Sequence, residues 1–124
     1  MEEYLIWMNL SIELKRAIDM EIYHVIQTRV AENDIIEIGR YITNELYDRD
    51  AADRLVDEFH VAMRSLRETP ERHEEIKDED YIILEGIRRF GIKNYDIYYS
   101  SDEVKRLVYI RRVLHSKREW QRLV

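Results

Sequence analysis

Two carboxylate–histidine pairs are the residues whose types and spacing could do the most specific chemistry. Glu21 precedes His24 by three residues, and Asp57 precedes His60 by the same interval. On a helix, side chains three residues apart share a face, and a carboxylate and an imidazole placed in this way can bind a di-iron or di-manganese centre. A metal–carboxylate helical enzyme is therefore one function to consider.

The other residues that such a centre needs do not fit it. Bridging glutamates on neighbouring helices should face the core, whereas Glu37 and Glu45 lie off the apolar stripe of their predicted helix. Asp57 and His60 also lie away from the apolar stripe of theirs. We therefore predict no metal site, and the metal–carboxylate enzyme remains a distant alternative.

Other kinds of catalytic site lack their characteristic residues. The chain has no cysteine, which excludes thiolate catalysis, disulfides and cysteine-bound metals. Its three glycines stand apart at 39, 86 and 91, so no glycine-rich loop can hold a phosphate, and no serine lies in a glycine-flanked turn. The sequence predicts a protein that is not an enzyme, with no cofactor and no small-molecule substrate.

Length and composition limit the class of protein. The 124 residues predict a single domain over 1–124, and 45% apolar residues are enough for a buried core. The longest apolar run, Tyr4 to Met8, is too short to span a bilayer, so we expect a cytoplasmic protein with no membrane partner. Few amide side chains, many isoleucines and no cysteine favour a thermophile or one of its viruses as the source.

Charge is distributed unevenly along the chain. Residues 1–85 contain 22 Asp and Glu against ten Lys and Arg, whereas residues 86–124 contain four against ten. Such a division indicates either an anionic partner for the basic part or attraction between the two parts, within one molecule or across a dimer.

Hydrophobic residues recur at helical spacing along most of the chain and predict an all-α bundle of about five helices. The first helix begins between Glu2 and Ser11 and ends near Ala31. It carries two apolar stripes, so we expect it to be buried at the centre of the domain or in a homodimer interface. The second helix begins at Asp34, and Gly39 within its stripe allows a neighbouring helix to approach closely.

The remaining elements follow from caps and turn residues. A third helix over 50–66 has the cleanest single stripe, with Asp50 as its cap. Residues 70–90 form one helix or two, and the sequence leaves this choice open. Residues 92–99 have strand-like chemistry and predict a short extended segment or a single turn. A last helix over 100–123 begins at a capping box.

The last helix carries the clearest functional feature. Opposite its core face, a helical wheel places a narrow strip of Tyr109, Val113 and Trp120. Basic residues border this strip on both sides: Lys105, Arg106, Arg112 and Lys117. An apolar strip between cations is typical of a docking face for an acidic protein surface or for nucleic acid, although another helix of the same fold can also cover it.

One stretch resembles a known family. The acidic run 78–80, Gly91 and the pair Asn94–Tyr95 resemble the first helix and turn of Myb/SANT-type three-helix domains. The resemblance implies that the helix from Ser100 approaches DNA or a basic histone-like tail. It covers under a fifth of the chain and lacks the tryptophans of that family, so we do not assign the chain to it.

These features together predict a small regulatory protein that binds a partner macromolecule, in first place another protein, through the last helix. Such a protein is an inhibitor or an adaptor, of a kind that viruses and mobile elements often encode. The principal alternative is a DNA- or RNA-binding transcriptional regulator that uses the same basic residues. A homodimer is favoured over a monomer because two helices carry an extra apolar stripe.

Overall fold

The computed structural model describes residues 22–77, 86–118, 120 and 123–124. The described elements follow one another as a strand, two helices and three strands. Their bounds are β1 (His24–Gln27), α1 (Arg29–Asn44), α2 (Arg49–Ser65), β2 (Arg88–Ile92), β3 (Tyr95–Asp102) and β4 (Leu107–His115). The strands form one mixed sheet in the order β1-β4-β3-β2, in which β1 runs parallel to β4 and the other neighbours are antiparallel.

The prediction of an all-α bundle of about five helices is wrong, because this is an α+β fold. The predicted last helix is the end of β3, a turn and β4. A β-bulge explains the false periodicity: the β3–β4 register shifts between Tyr98 and Tyr99, which leaves Arg111 as an extra residue. Ile110 and Val113 therefore both face the core although they are three residues apart, a spacing that is also helical.

The fold also corrects the first and fourth predicted helices. The first was expected to continue to Ala31, but residues 24–27 are a strand, and the part before residue 22 lies outside the described residues. Of the predicted helix or helices over 70–90, residues 70–77 are not helical and β2 begins at Arg88, whereas residues 78–85 lie outside the described residues. The Myb/SANT resemblance therefore does not correspond to the fold, since Gly91 lies within β2.

Two of the predicted helices exist with somewhat different starts. Helix α1 begins five residues before Asp34, at an N-cap in which the Thr28 hydroxyl accepts a hydrogen bond from the Ala31 N–H at 3.2 Å. Helix α2 begins after Asp48, not Asp50, and its cap accepts from the Ala51 N–H at 3.0 Å. The predicted extended segment over 92–99 is partly confirmed, because it joins β2 to β3.

Both helices pack on one face of the sheet. Each buries one stripe, and the stripes meet the alternate residues of β3 and β4 that point to the same side. The buried members from the helices are Ala31, Ile35, Ile42, Ala52, Leu55, Phe59 and Met63. The buried members from the sheet are Ile97, Tyr99, Val108, Ile110 and Val113. None of the described helices has the length and apolar character needed to cross a bilayer.

The opposite face of the sheet is partly covered by the end of the chain. Tyr98 and Leu114 point to this face, and Trp120, Leu123 and Val124 pack against them. The indole of Trp120 stacks on the ring of Tyr98, with centroids 5.8 Å apart. Trp120, Leu123 and Val124 thus cover part of that face.

Gly39 lies where α1 contacts α2. A methyl group built on it would be 3.8 Å from the Val56 Cγ2 atom, which is an ordinary van der Waals distance. We expect Gly39→Ala to raise the free energy of unfolding by about 0.5–1 kcal/mol, because alanine loses less backbone entropy than glycine in a helix. Urea denaturation measures this, and a loss of stability would show that the helices are closer together than described here.

Candidate functional site

A groove follows the outer edge of β1, between that strand and the two helices. It consists of two adjoining cavities of about 370 Å³ and about 600 Å³, which share Val25, Gln27 and His60 as lining residues. Further along, Ile35 and Val56 form its apolar lining and Ile36 of α1 lies on its wall. We call this feature the β1 groove.

The backbone of β1 offers hydrogen bonds on the groove side. Parallel pairing with β4 uses alternate residues, since the N–H of His24 donates to the Arg106 carbonyl at 2.9 Å and that of Thr28 to the Ile110 carbonyl at 3.1 Å. The N–H and C=O groups of Val25 and Gln27 consequently point away from β4. Within the described ranges, no strand pairs with this outer side, so a segment of another chain can extend the sheet there.

The groove entrance combines apolar and basic side chains. A third cavity of about 430 Å³ adjoins the groove at Arg64 and Arg67 and also includes Ile22, Val61 and Arg72. Ile22 is 46% exposed and Val61 63%, which is much for large aliphatic side chains. Three arginines outnumber the carboxylate of Glu68 in this lining, and together with the exposed aliphatic groups they favour an amphipathic segment with acidic residues.

The sequence places this arrangement in a family. Residues 25–120 match the profile of the ParE toxin of type II toxin–antitoxin systems, parDE, which is well over half of the chain. The chain belongs to the ParE toxin family. The predicted regulatory role with a protein partner is confirmed at this level, because a toxin of such a system has an antitoxin as its partner.

Solved structures share the ParE fold with this chain. A chain of the chromosomal ParDE toxin–antitoxin system of P. aeruginosa aligns with a TM-score of 0.64 and 14% identity, over 78% of this chain and 99% of that one. A chain of the toxin–antitoxin complex RelBE2 of Mycobacterium tuberculosis aligns with a TM-score of 0.52 and 20% identity, over 76% and 98%. No curated protein matches the sequence.

In this ParE family member, the residues of the predicted docking strip are not on one surface. The strip was predicted on a helix, but Leu107–His115 is a strand, so the residues of the strip lie on different parts of the fold. Lys105 and Arg106 lie in the β3–β4 turn, and the guanidinium of Arg106 is 5.1 Å from the ring centre of Tyr23. Lys117 is exposed beyond β4. Tyr109 is half-buried on the sheet face opposite the helices, since its neighbours in β4 point to the helices.

Arg112 and Val113 contribute contacts within the fold. Val113 is 1% exposed, within the core between helices and sheet. The guanidinium of Arg112 contacts both carboxylate oxygens of Asp34, at 2.7 and 2.8 Å, and donates to the Leu123 carbonyl at 3.3 Å. A binding role for the seven predicted residues, with a protein or with nucleic acid, stays a prediction, as does the homodimer.

Trp120 lies between the sheet and an arginine. Its ring stacks on Tyr98, and the Arg89 guanidinium is 5.4 Å from the ring centre. We expect Trp120→Ala to lower the free energy of unfolding by about 2 kcal/mol, because an aromatic stack, a cation–π contact and apolar burial are lost together. Thermal denaturation measures this, with exposed Lys117→Ala as the control. Unchanged stability with weaker partner binding would instead support the predicted docking role.

The carboxylate–histidine pairs do not form one site. Glu21 lies outside the described residues, and His24 belongs to a strand instead of a helix. Asp57 is exposed on α2, whereas His60 lines the β1 groove. In the part of the chain that the structure describes, no three His, Asp or Glu side chains are close enough to hold a metal ion. The absence of a metal centre stays a prediction.

A further cavity of about 930 Å³ lies between the β3–β4 turn and the loop after α2, and it shares Glu68 and Arg72 with the entrance cavity. A hydrogen bond with Glu71, together with its negative charge, raises the pKa of Glu103 above the ordinary value. Arg72 and Arg106 also line this cavity. Because both signs of charge meet there, its lining favours no single class of ligand.

Sequence reasoning missed the β1 groove entirely. Strand β1 is only four residues long, and apolar residues recur at helical spacing both before and after it. The sequence prediction therefore included His24–Gln27 in its first helix. Val25 and Ile26 are consecutive β-branched residues, and only Gln27 separates them from the capping residue Thr28; this was the available signal for a strand that ends at a helix start.

Proposed function

We propose that this protein is the toxin of a type II toxin–antitoxin pair and that its antitoxin binds in the β1 groove. One observation carries the proposal: the N–H and C=O groups of Val25 and Gln27 point away from β4, beside the apolar lining of the β1 groove. An extended antitoxin segment would pair with β1, and apolar side chains of the antitoxin would fill the β1 groove. We further propose that the protein acts by binding and not by catalysis.

Charge supports an acidic antitoxin segment. Arg64 and Arg67 both line two of the cavities at the groove entrance, and Arg72 lies beside them. Guanidinium groups pair with carboxylates through two hydrogen bonds, which gives orientation as well as attraction. Glu32 lines the larger cavity of the groove, whereas Arg64 and Arg67 line the smaller one, so Glu32 favours a basic residue of the antitoxin there.

The primary test is growth. Expression of the chain alone should slow the growth of a bacterial host, and co-expression of its cognate antitoxin should restore growth. A purified mixture of the two proteins should elute as one complex. Normal growth without the antitoxin, together with no complex, would overturn the proposed function.

The binding site itself is tested at Ile36, which is 44% exposed on the groove wall. We expect Ile36→Glu to weaken antitoxin binding by about 10- to 100-fold, because it removes apolar burial and leaves a carboxylate without a partner. Isothermal titration calorimetry measures this. The matched control is Leu46→Glu in the α1–α2 turn, which is 57% exposed and away from the groove and should bind normally.

Strand pairing is tested in the same assay at Gln27. Gln27→Pro removes a backbone N–H that points away from β4, so the sheet keeps its own hydrogen bonds. Gln27→Thr keeps the N–H and is the control. If both variants bind the antitoxin equally well, the antitoxin does not pair with β1.

A further inference from the structure

Within the described residues the outer edge of β1 has no partner strand, and it also fits a second copy of this chain. We propose that, in the absence of antitoxin, two chains pair through this edge as a symmetric dimer in which the two β1 strands run antiparallel. The two four-stranded sheets would then join edge to edge into one continuous sheet. The dimer itself does not depend on the proposed antitoxin site, whereas its competition with the antitoxin rests on that site.

Backbone geometry sets the register of this pairing. The N–H and C=O groups of Val25 and Gln27 point away from β4, whereas those of Ile26, between them, point towards it. Outward-pointing residues of antiparallel strands exchange two hydrogen bonds when they lie opposite each other, so Val25 of each chain would face the partner's Gln27. Because this pair occurs once on each side of a two-fold axis, Ile26 would lie at the axis.

The aliphatic side chains exposed around β1 match this symmetry. Ile26 is 40% exposed, and in this register it would contact the partner's Ile26, since directly opposite side chains lie on the same face of a sheet. Antiparallel strands also place the start of one beside the end of the other. Ile22, just before β1, would therefore approach the partner's Val30 in the first turn of α1, and these residues are 46% and 49% exposed.

Charged residues lie at opposite ends of the β1 groove. Arg64 and Arg67 line the smaller cavity, and the Tyr23 N–H donates to the Arg67 carbonyl at 2.8 Å, which places them near the start of β1. Glu32 lines the larger cavity and belongs to the first turn of α1, which follows the end of β1. Arg29 of the same turn is exposed and lines neither cavity.

Antiparallel pairing brings these opposite charges together. A two-fold axis at Ile26 directs Arg64 and Arg67 of each chain towards the partner's Glu32, so the complementarity occurs twice in the dimer. Parallel pairing would instead bring arginine beside arginine, and charge therefore selects the antiparallel dimer. The second copy and the antitoxin would use the same backbone groups of β1, so each would exclude the other.

A single cysteine tests the position of the axis, because the chain contains none of its own. Cα atoms directly opposite in a pair of this kind are about 4.5 Å apart, which is within the range for a disulfide. In the full chain under mild oxidant, Ile26→Cys should cross-link two chains about tenfold or more faster than Val104→Cys. Val104 is the control because it is 94% exposed, in the β3–β4 turn. Non-reducing electrophoresis measures the rates, and equal rates would overturn the proposal.

Charge exchange tests the orientation. Sedimentation velocity over a range of concentrations should show a dimer that Glu32→Arg weakens about tenfold or more, since arginine then meets arginine. Arg64→Glu with Arg67→Glu should weaken the dimer likewise, and all three changes in one chain should restore it. The matched control is Glu45→Arg at the exposed end of α1, which should dimerise normally. A chain that stays monomeric at every concentration, or charge variants that dimerise like the original, would contradict the proposal.

Added antitoxin separates the dimer from the proposed function. It should slow the cross-linking of Ile26→Cys, because both partners need the outer backbone groups of β1. Cross-linking that the antitoxin leaves unchanged would support the dimer and overturn the shared use of this edge. The rates and the sedimentation without antitoxin test the dimer alone, so either proposal can fail while the other holds.

Discussion

Asp34→Ala is expected to lower the free energy of unfolding by about 3–5 kcal/mol, a large part of the stability of a domain of this size. Asp34 accepts two hydrogen bonds from Arg112 and a third, at 3.0 Å, from the Val113 N–H. The side chains of Asp34 and Arg112 are only 9% and 15% exposed. Removal of the carboxylate therefore leaves a partly buried guanidinium and a buried backbone N–H without this acceptor.

Urea denaturation of single and double variants separates the pair from its parts. Asp34→Leu combined with Arg112→Leu should recover part of the stability that Asp34→Ala loses, because no charge remains buried, whereas the Val113 N–H still lacks its acceptor. The control is Glu58→Ala: Glu58 pairs with Lys93 at 3.3 Å, but their side chains are 45% and 60% exposed, so its loss should cost under about 1 kcal/mol. An equally small cost for Asp34→Ala would contradict the prediction.

Phe59→Ala is the second large effect, with an expected loss of about 3–5 kcal/mol. Phe59 is completely buried on α2, and its ring meets that of Tyr95 edge-on with centroids 5.8 Å apart. Truncation leaves a cavity between helix and sheet that the surrounding side chains fill only in part. Phe59→Leu should lose less, because it retains most of the volume.

The same helix provides the comparison. Val61 is two residues from Phe59 but 63% exposed, so Val61→Ala should change the free energy of unfolding by no more than about 0.5 kcal/mol. Thermal melts of the three variants measure the series. If Phe59→Ala and Val61→Ala have the same melting temperature, the prediction is wrong and α2 does not pack on the sheet through Phe59.

Both large effects bear on the groove. Asp34 fixes α1 against β4 beyond the end of β1, and Phe59 fixes α2 on the sheet. The groove is the space between these helices and β1, so its width depends on both anchors. Destabilised variants should for this reason be compared in antitoxin binding only at temperatures where they are folded.

The elements that could be predicted from the sequence are those that depend on interactions between residues close together in the chain. The cap and stripe of α2 are local, and they predicted that helix to within two residues. The single-sided stripe of α1 was also recognised. Lack of cysteine, of glycine-rich loops and of long apolar runs directed attention to a protein partner, which the family confirms, whereas the absence of catalysis stays a prediction.

The strands were misread because pairing is not local. Helical spacing relates four apolar residues of β4: Val108, Ile110, Val113 and Leu114. In the structure the first three face the helices and Leu114 faces the other side of the sheet. The bulge opposite Tyr98 and Tyr99 makes this arrangement possible in a strand. The four residues of β1 gain their conformation from hydrogen bonds to β4, more than 80 positions along the chain. A periodicity rule has no access to such partners.

The sequence by itself determined the local helical caps, the amphipathic stripes and the division of charge, because these depend on neighbours within a few residues. Only the tertiary structure decided that Arg112 and Val113 support the fold from within, and that β1 is an edge strand beside a groove. The physical reason is that burial and strand pairing join residues far apart in the chain, and each changes the role that a residue's type alone would suggest.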